Sequence, residues 1–297
     1  MKTGLVEKHL AACRLCPRRC GARRLAGELG PCGAGKQARL ASAVKHVGEE
    51  PPISGIRGSA TFFFSHCPLS CRFCQNFPIS QMGHGAEMSI PALADRMVKL
   101  EKRGAHNINI VTGTHFAPHI IEAVALARQE SMAIPVVWNT SGYETPETLD
   151  LLAGTVDIYL TDIKYADDAI AERLSDAKGY FAVATNAARK MLEQVGPLTL
   201  DAEGIGVKGV IVRHMVLPGG LSGTREVMAF VHDAFGDDVP VSLMGQYFPA
   251  HRASEISEIS RPLRPDEYLQ AKSDTVAAGI EEGWFQEMDD PEMKRGA

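Results

Sequence analysis

Short apolar runs alternate with amphipathic stretches along most of the chain, from about residue 60 onward. Continuous apolar runs of this kind are typical of parallel strands that are covered on both faces. The pattern therefore predicts six strands. They lie at residues 61–65, 107–112, 134–139, 156–162, 207–216 and 239–244.

Helical periodicity fills the gaps between the predicted strands. Ser89 is a candidate N-cap for one of these helices, and Gly104 suits its C-terminal end. Ser222 or Thr224 is expected to cap a later helix. The segment 196–206 is expected to form a connecting loop. Apolar stripes or helical composition place the helices near residues 89–104, 116–127, 144–152, 180–195, 224–234 and 266–280.

The six-fold alternation of strand and helix predicts an α/β fold. Consecutive units of this type form a parallel sheet with right-handed crossovers. In such folds, ligands bind at the C-terminal ends of the strands, on the loops that lead into the helices. We therefore expect the functional side chains directly after each strand.

Composition removes several classes of protein. The chain has 297 residues, of which 45% are hydrophobic and 23% charged, and its formal net charge is −5. These values exclude a disordered or collagen-like chain, and no apolar run approaches the ~20 residues that a membrane helix needs. The N-terminal segment lacks the apolar core of a secretory signal. We therefore expect a cytoplasmic protein without a membrane partner.

The placement of the seven cysteines says more than their number. All of them precede residue 75. A disulfide framework for the whole fold is therefore excluded, and local binding of a metal or a metal cluster becomes the leading interpretation. The cysteines divide into an N-terminal set of four and a set of three after the first predicted strand.

The set of three consists of Cys67, Cys71 and Cys74, with the spacing Cys-x3-Cys-x2-Cys. Three thiolates on one loop suit a soft metal, above all an iron–sulfur cluster. Three is one ligand short of a closed site, and an open coordination position is typical of a reactive centre. The alternative is a closed zinc site that His66 completes.

This spacing, its place after the first strand and the aromatic Phe73 together resemble the radical S-adenosylmethionine (SAM) superfamily, whose fold is a partial (β/α)6 TIM-like barrel. The resemblance implies that the three cysteines hold a 4Fe–4S cluster, that the fourth iron binds SAM, and that Phe73 packs near the adenine. It also implies reductive cleavage of SAM to methionine and a 5′-deoxyadenosyl radical. The run Cys74-Gln75-Asn76 further resembles the glycyl-radical-enzyme activases, such as pyruvate formate-lyase activating enzyme.

The resemblance assigns cofactor-binding roles to residues after the second and third strands. Thr112, Gly113 and Thr114 stand where the family has a Gly-Gly-Glu-like stretch that receives the amino group of SAM. Here one glycine remains, and the glutamate is absent. Asn139 and Ser141 are expected to bind the ribose, and turn or N-cap chemistry before the next helix is the alternative.

The fourth and fifth strands end in charged residues. Asp162 and Lys164 are two positions apart and therefore lie on one face. Charges at the mouth of an apolar strand are costly to bury unless they are paired or bound to a ligand. The activases have a similar Asp-x-Lys near SAM and substrate, so the resemblance implies catalytic roles, with a local ion pair as the alternative. By the same resemblance, Arg213 is expected near the SAM carboxylate or the substrate.

The N-terminal set, Cys13, Cys16, Cys20 and Cys32, is a complete group of four thiolate ligands. Four such ligands on short loops suit either a structural zinc or an auxiliary 4Fe–4S cluster, and spacing alone does not separate the two. We favour a second cluster, because the chain already requires cluster assembly.

Five arginines surround the N-terminal cysteines. A basic patch can steer an acidic electron donor such as flavodoxin or ferredoxin, or it can bind the phosphates of a nucleic acid. Residues 1–61 contain no aromatic side chain on which a base could stack. We therefore expect the electron donor and no nucleic-acid partner. The arginines are Arg14, Arg18, Arg19, Arg23 and Arg24.

The sequence thus predicts three parts. These are a Cys-rich extension (1–57), a radical SAM partial barrel (58–260), and a C-terminal helix with an acidic tail (261–297). The leading hypothesis is an oxidoreductase that abstracts hydrogen, with a glycyl radical enzyme as its protein substrate. The alternatives are radical SAM modification of another peptide or a small metabolite, and a non-catalytic zinc-binding module.

Overall fold

In the described part of the chain, one sheet with seven parallel strands forms the centre of the molecule. The computed structural model describes residues 4–286 and 288, and within them the strand order is β10-β9-β8-β6-β5-β4-β2-β1-β3. The strands are β1 Ala38–His46, β2 Ser59–Phe64, β3 Ala86–Met88, β4 Ile108–Val111, β5 Val136–Thr140, β6 Ile158–Asp162, β7 Thr199–Leu200, β8 Gly206–Met215, β9 Val241–Met244 and β10 Gly283–Phe285. From β2 to β10 the neighbours in this order are parallel.

Helices follow the parallel strands and cover the outer face of the sheet. Their apolar stripes and the outward side chains of the strands form the main hydrophobic core. The helices are α1 Leu5–Leu10, α2 Pro51–Ser54, α3 Phe77–Ser80, α4 Ile90–Lys102, α5 Ala117–Gln129, α6 Pro146–Leu152, α7 Asp168–Ser175, α8 Tyr180–Val195, α9 Thr224–Phe235 and α10 Pro265–Ala277.

The α/β fold with a mostly parallel sheet and a Cys-rich N-terminal region is confirmed. The six predicted strands correspond to β2, β4, β5, β6, β8 and β9, and they follow one another across the sheet in chain order. The helix predicted over residues 180–195 has the same bounds as α8. The apolar runs between turn signals were therefore sufficient to identify the repeating units.

Two capping predictions have different outcomes. Ser89 caps α4, and its side chain accepts a hydrogen bond from the amide of Ala92 at 3.3 Å. The prediction that Ser222 or Thr224 caps α9 is wrong. Gly223 occupies the N-cap with a φ of 66°, a left-handed conformation that glycine adopts without strain. The hydroxyl of Ser222 instead accepts a bond from the amide of Leu217 at 3.3 Å.

Four strands were not predicted. Strand β1 lies within the predicted extension and pairs antiparallel with β2, and β3 pairs with β1. Strand β7 falls in the segment 196–206 that was expected to be a loop, and pairs antiparallel with β8. Strand β10 adds a parallel strand after β9. Because β3, β7 and β10 are two or three residues long, they are too short to show a period in the sequence.

A second, smaller group of apolar side chains fills the concave side of the sheet. Ile53, Val137, Ile158, Leu160 and Ile211 are all fully buried there, and Leu198 and Trp284 pack against them. Apart from Ile53 on α2, these five residues lie on strands before the positions that carry polar side chains, and so the group forms an apolar floor beneath the C-terminal ends of the strands. We refer to it below as the floor.

Part of the expected acidic tail is not described by the structure. Residues 287 and 289–297, which make up most of the expected acidic tail, lie outside the described residues. Within the described residues, no helix combines the length and apolarity that crossing a bilayer requires.

Candidate active site

A cavity of about 340 Å³ opens above the floor, at the C-terminal ends of the parallel strands. Successive strands contribute one or two side chains each, because residues at the ends of neighbouring parallel strands face the same space. The strand ends and the loops that follow them supply Phe63, Cys67, Val111, Thr112, Asn139, Ser141, Asp162, Lys164, Arg213, Met215 and Met244.

The loop after β2 brings three thiols to this cavity. Cys67, Cys71 and Cys74 are each half-buried, and all three line it. The hydroxyl of Ser175 donates to Cys71 Sγ at 3.0 Å, and Cys74 Sγ lies 3.1 Å from Ser80 Oγ. These contacts hold the thiols at one wall of the cavity.

Burial works against ionisation of the three thiols. It raises the pKa of Cys67 well above its ordinary value and that of Cys71 to about 11, although Lys164 lowers the latter. Buried thiols of this kind ionise readily only beside a bound cation. Three thiols that need such a cation, all lining one cavity, fit a cluster held by three cysteines.

His66 does not join the three cysteines at the cavity. Its ring lies next to Gly33 and Gly83, where a Cβ on either glycine would approach it to 2.9 or 2.6 Å. The backbone of His66 has a φ of 70° and donates to the carbonyl of Ile79. Since the ring is packed among these residues, His66 is not arranged as the fourth ligand of a closed zinc site.

The three charged residues predicted from the strand ends meet in one network. Arg213 Nε donates to Asp162 Oδ1 at 2.9 Å, and Lys164 pairs with the other oxygen of that carboxylate. Arg213 Nη2 also donates to Asn139 Oδ1 at 2.7 Å. Burial raises the pKa of Asp162, but the two cations more than offset this effect and hold it below its usual value. The ion pair considered as an alternative is therefore present, and it lies in the cavity wall.

Two acidic residues that the sequence reading missed also line the cavity. Glu49 and Glu50 follow β1 and precede α2. Glu49 lies 3.5 Å from Arg213 Nη1 and accepts from Asn109 at 3.0 Å. Burial, with a contribution from Glu50, raises the pKa of Glu49 to about 7 despite the nearby guanidinium. Adjacent glutamates before a proline pair carry no periodic signal, so nothing in the sequence placed them here.

The remaining predicted cofactor-binding residues divide into two groups. Thr112 and Ser141 line the cavity, as does Phe73, whose ring packs edge-on against Tyr247 with centroids 5.7 Å apart.

Gly113 and Thr114 do not line it. A Cβ on Gly113 would lie 2.6 Å from both Ile110 and Trp138, so this glycine faces the core. Thr114 is buried and donates to Glu144 at 2.7 Å. Only the first residue of the Thr-Gly-Thr stretch therefore reaches the cavity.

The four N-terminal cysteines lie in one region of turns. Cys13 and Cys16 are buried, Cys32 is half-buried and Cys20 is exposed. Burial raises the pKa of Cys16 to about 12 and also raises that of Cys32, and neighbouring thiols of the set add to both shifts. A Cβ on Gly30 would lie 2.7 Å from Cys20 Sγ, so the chain passes close to this thiol.

Most of the arginines around these cysteines form ion pairs or hydrogen bonds with other residues of the chain. Arg18 pairs with Asp176 and donates to the carbonyl of Pro68. Arg24 is 1% exposed and donates to the carbonyl of His115 at 2.6 Å. Arg19 pairs with Glu147, and Arg23 pairs with Glu28. These pairs reduce the net positive charge on which the steering of a donor was argued.

The described residues contain no group of three or more His, Cys, Asp and Glu side chains that is arranged to hold a single metal ion.

Comparison with known proteins gives consistent matches. The Radical SAM superfamily matches residues 61–219. An uncharacterised protein of Methanocaldococcus jannaschii is 32% identical over 278 residues, which cover 91% of this chain and 76% of that protein.

Solved structures match at lower identity. HydG, a maturase of the FeFe-hydrogenase, has a TM-score of 0.51 at 11% identity. The match covers 77% of this chain and 52% of the HydG chain. SuiB of Streptococcus suis, bound to S-adenosylmethionine, has a TM-score of 0.49 at 13% identity, with 74% and 48% covered. The chain thus spans about half the length of these two structures. The likeness to HydG is one of fold.

Proposed function

Because the chain belongs to the radical SAM superfamily, we propose that it abstracts a hydrogen atom from a substrate bound in the cavity at the strand ends. Membership supports an enzyme that cleaves SAM by radical chemistry and implies a 4Fe–4S cluster and SAM as cofactors. What the substrate is and which residues act on it are the proposed parts.

One observation carries the proposal. The three thiols after β2 share a single cavity with the network of Asp162, Lys164 and Arg213. The three thiols would hold the cluster, which when bound and reduced would supply the electron for cleavage of SAM to methionine and a 5′-deoxyadenosyl radical. A soft-metal site and fixed polar groups in one enclosed space suit chemistry in which the protein positions the cofactor and excludes water.

The chain's own residues have distinct tasks in this proposal. Cys67, Cys71 and Cys74 hold the cluster. Asn139 and Ser141 offer hydrogen-bonding groups to the ribose.

Three further residues complete the assignment. Arg213 and Lys164 offer positive charge to a carboxylate, while Asp162 holds both cations in place through the ion pairs it forms. Phe73, which is buried in the wall of the cavity, offers an apolar surface to the adenine.

A glycyl radical enzyme is our first candidate for the substrate. Support comes from the run Cys74-Gln75-Asn76, which resembles the activases and lines the cavity. Gln75 donates to the carbonyl of Gln246 at 3.0 Å, which ties the cysteine loop to the segment after β9. Incubation with a candidate glycyl radical enzyme, SAM and dithionite should produce a glycyl signal in electron paramagnetic resonance. Absence of the signal with every candidate while SAM is cleaved would count against this substrate.

A small molecule is the second candidate, and a specific observation favours it. Glu49 and Glu50 enter the cavity from the segment that follows β1. Two buried carboxyl groups above an apolar floor suit a polar substrate with a positive charge, because buried charges need partners of opposite charge.

We propose further that the N-terminal thiols hold an auxiliary 4Fe–4S cluster, with a zinc ion as the alternative that would require the thiols to move together, and that a flavodoxin or ferredoxin supplies the electron. The Cys13 and Cys16 thiols are buried, and Cys16 and Cys32 have pKa values raised by burial, as expected of thiols that become ligands only with a cation bound. Since most of the surrounding arginines are paired within the chain, we expect the rate of reduction by the donor to depend only weakly on ionic strength.

The proposed function is tested by anaerobic reconstitution followed by SAM and dithionite. We expect the native chain to form 5′-deoxyadenosine and Cys71→Ala to form less than about a hundredth as much, because one of three cluster ligands is lost. Glu193→Gln, an exposed change on α8, should behave like the native chain. Cleavage of SAM by Cys71→Ala at the native rate would refute the site assignment.

A further inference from the structure

Glu50 is a buried residue in the wall of the cavity, and one oxygen of its carboxyl group has no hydrogen-bond partner among the described residues. The residue is 4% exposed, and within residues 4–286 and 288 its Oε2 has no hydrogen-bond partner. The ion pairs of this region involve the neighbouring Glu49 and Asp162 instead. A buried carboxylate that is left without a donor is costly, so its retention at a cavity wall points to a ligand that supplies one.

The backbone fixes Glu50 in this position. Its carbonyl accepts bonds from the amides of Ile53 and Ser54 at 2.8 and 3.0 Å. Ile53 is buried in the floor, and its carbonyl accepts from the side chain of Asn107 at 2.7 Å. Pro51 restricts the residue before it to extended backbone, which Glu50 adopts with ψ of 146°. The carboxylate is thus held at the cavity by an anchored segment.

The charges around the cavity are unequal. Glu49, Glu50 and Asp162 supply three carboxyl groups, whereas Lys164 and Arg213 supply two cations. His46 also lines the cavity, and its ring contacts Phe63 edge-on. Both cations are already engaged by Asp162, and Arg213 is shared with Glu49. With all three carboxyl groups ionised, their negative charge exceeds that of the two cations by one, and a cationic ligand would balance it.

Within the described chain, two further buried acceptor atoms without a partner belong to a residue that lines the same cavity and to a residue that contacts Glu49. Gln286, at the end of β10, lines the cavity, and its Oε1 is buried without a partner among the described residues. Asn109 Oδ1 is in the same condition on β4. The orientation of that amide follows from its contact, since its Nδ2 donates to the Glu49 carboxylate, which accepts. A set of unpaired acceptors calls for a ligand with several N–H donors.

We infer that the substrate carries a primary ammonium or a guanidinium group, and that Glu50 receives this group at the wall of the cavity. The inference rests on the proposed function, because a molecule that loses a hydrogen atom from carbon has to be organic. Glu49 and the amide oxygen of Gln286, which line the same cavity, complete the acceptor set. An inorganic cation and the ammonium of SAM itself are the competing occupants.

Isothermal titration of the anaerobically reconstituted full chain, loaded with SAM, tests the inference. Agmatine, which carries both groups, and n-butylamine are the cationic probes, and 1-butanol is the uncharged match. We expect both cations to bind at least tenfold more tightly than 1-butanol. Glu50→Gln should weaken agmatine binding at least tenfold, Glu50→Asp should weaken it less because it keeps the charge, and Glu193→Gln should leave it unchanged.

Several results would overturn the inference. These are equal affinity for the cations and 1-butanol, native agmatine affinity in a folded Glu50→Gln chain, or displacement of agmatine by an equimolar amount of magnesium or sodium chloride. A tenfold loss of SAM affinity in Glu50→Gln would assign the carboxylate to SAM. If Glu50→Gln fails to fold, the affinities of the native chain and of Glu50→Asp for the cationic probes and for 1-butanol still test the inference.

The same preparation separates this inference from the proposed function. The formation of 5′-deoxyadenosine from SAM and dithionite is measured without any probe. Native chain that binds agmatine but leaves SAM intact would refute the proposed function and leave the cation site standing. Native chain that cleaves SAM but does not distinguish the probes would refute the cation site alone.

Discussion

At the scale of single residues, one carboxylate in the cavity wall, that of Asp162, forms ion pairs with two cations. Asp162 ends β6 opposite Arg213 on β8, since the two are register partners in the parallel pair. Lys164, two positions later, pairs with its second oxygen. Because all three side chains are largely buried, each charge relies on the others rather than on water. Loss of the carboxylate would leave two cations facing each other.

We expect Asp162→Asn to lower the free energy of unfolding by about 3–5 kcal/mol, the range for breaking a buried ion pair by removing one partner. The variant should also lose most SAM cleavage, because Arg213 and Lys164 lose the group that orients them. Denaturant titration and the 5′-deoxyadenosine assay measure the two effects.

Asp95→Asn is the matched control for that prediction. It removes an exposed carboxylate that pairs with Lys99 one helical turn away on α4, and such pairs contribute about 0.3–0.5 kcal/mol. Equal losses of stability in the two variants would show that the buried network does not depend on Asp162.

The sequence predicted that Asp162, Lys164 and Arg213 lie at one edge of the sheet, because each stands at or just after the end of a parallel strand, but it did not predict the pairing of Arg213 with Asp162. Residues at the C-terminal ends of parallel strands converge whatever their separation along the chain, so Asp162 and Arg213 could be brought together by topology alone. Glu49 and Glu50 could not, because they reach the same cavity from a segment that follows an antiparallel strand. Thr114 was placed at the cavity by resemblance, but its hydroxyl is used by the buried Glu144.

At the scale of elements, the short helix α2 links the floor to the cavity wall. Its residue Ile53 is fully buried against Val137, Ile158, Leu160 and Ile211. The same four-residue helix follows directly after Glu50. The packing of one apolar side chain therefore positions a carboxylate several residues away from any strand of the parallel sheet.

Ile53→Ala should lower the free energy of unfolding by about 2–5 kcal/mol, since it removes a fully buried aliphatic side chain and leaves a cavity. It should also weaken agmatine binding, because the segment that carries Glu50 loses its anchor. Ile56→Ala, three residues later, changes a side chain that is 93% exposed and should stay within about 0.5 kcal/mol. Denaturant titration measures the stabilities, and similar values for the two variants would contradict the anchoring role.

Strands β1 and β10 were not predicted, for a shared physical reason. Strand β1 is buried only at Ala38 and Leu40 and includes charged residues, so its sequence shows no continuous apolar run. Strand β10 has three residues in an acidic region and is stabilised by pairing with β9. Both form because a neighbouring strand offers unpaired backbone groups, which is a property of the folded sheet rather than of the local sequence.

At the scale of the whole molecule, the two cysteine regions are joined. Arg18, between Cys16 and Cys20, donates to the carbonyl of Pro68, which follows Cys67. It also pairs with Asp176, next to Ser175, the residue that donates to Cys71. One guanidinium thus spans the N-terminal region and the loop that carries the other three cysteines. This arrangement favours an N-terminal centre that acts together with the first.

The metal content of the reconstituted chain tests that arrangement. We expect about eight irons per chain, four for each 4Fe–4S cluster, whereas a zinc at the N-terminal set would leave about four. Cys71→Ala should retain about four irons and lose SAM cleavage.

Cys16→Ala should also retain about four irons, but with dithionite it should still cleave SAM, because a small reductant reaches the first cluster without a relay. With flavodoxin as the donor, Cys16→Ala should be slowed at least tenfold if the N-terminal cluster carries the electron. Iron near four with one zinc per native chain would refute the second cluster. Equal rates with flavodoxin for the native chain and Cys16→Ala would show that the N-terminal centre does not carry the electron. Its role would then be structural, and Arg18 would join two segments of the chain rather than two redox sites.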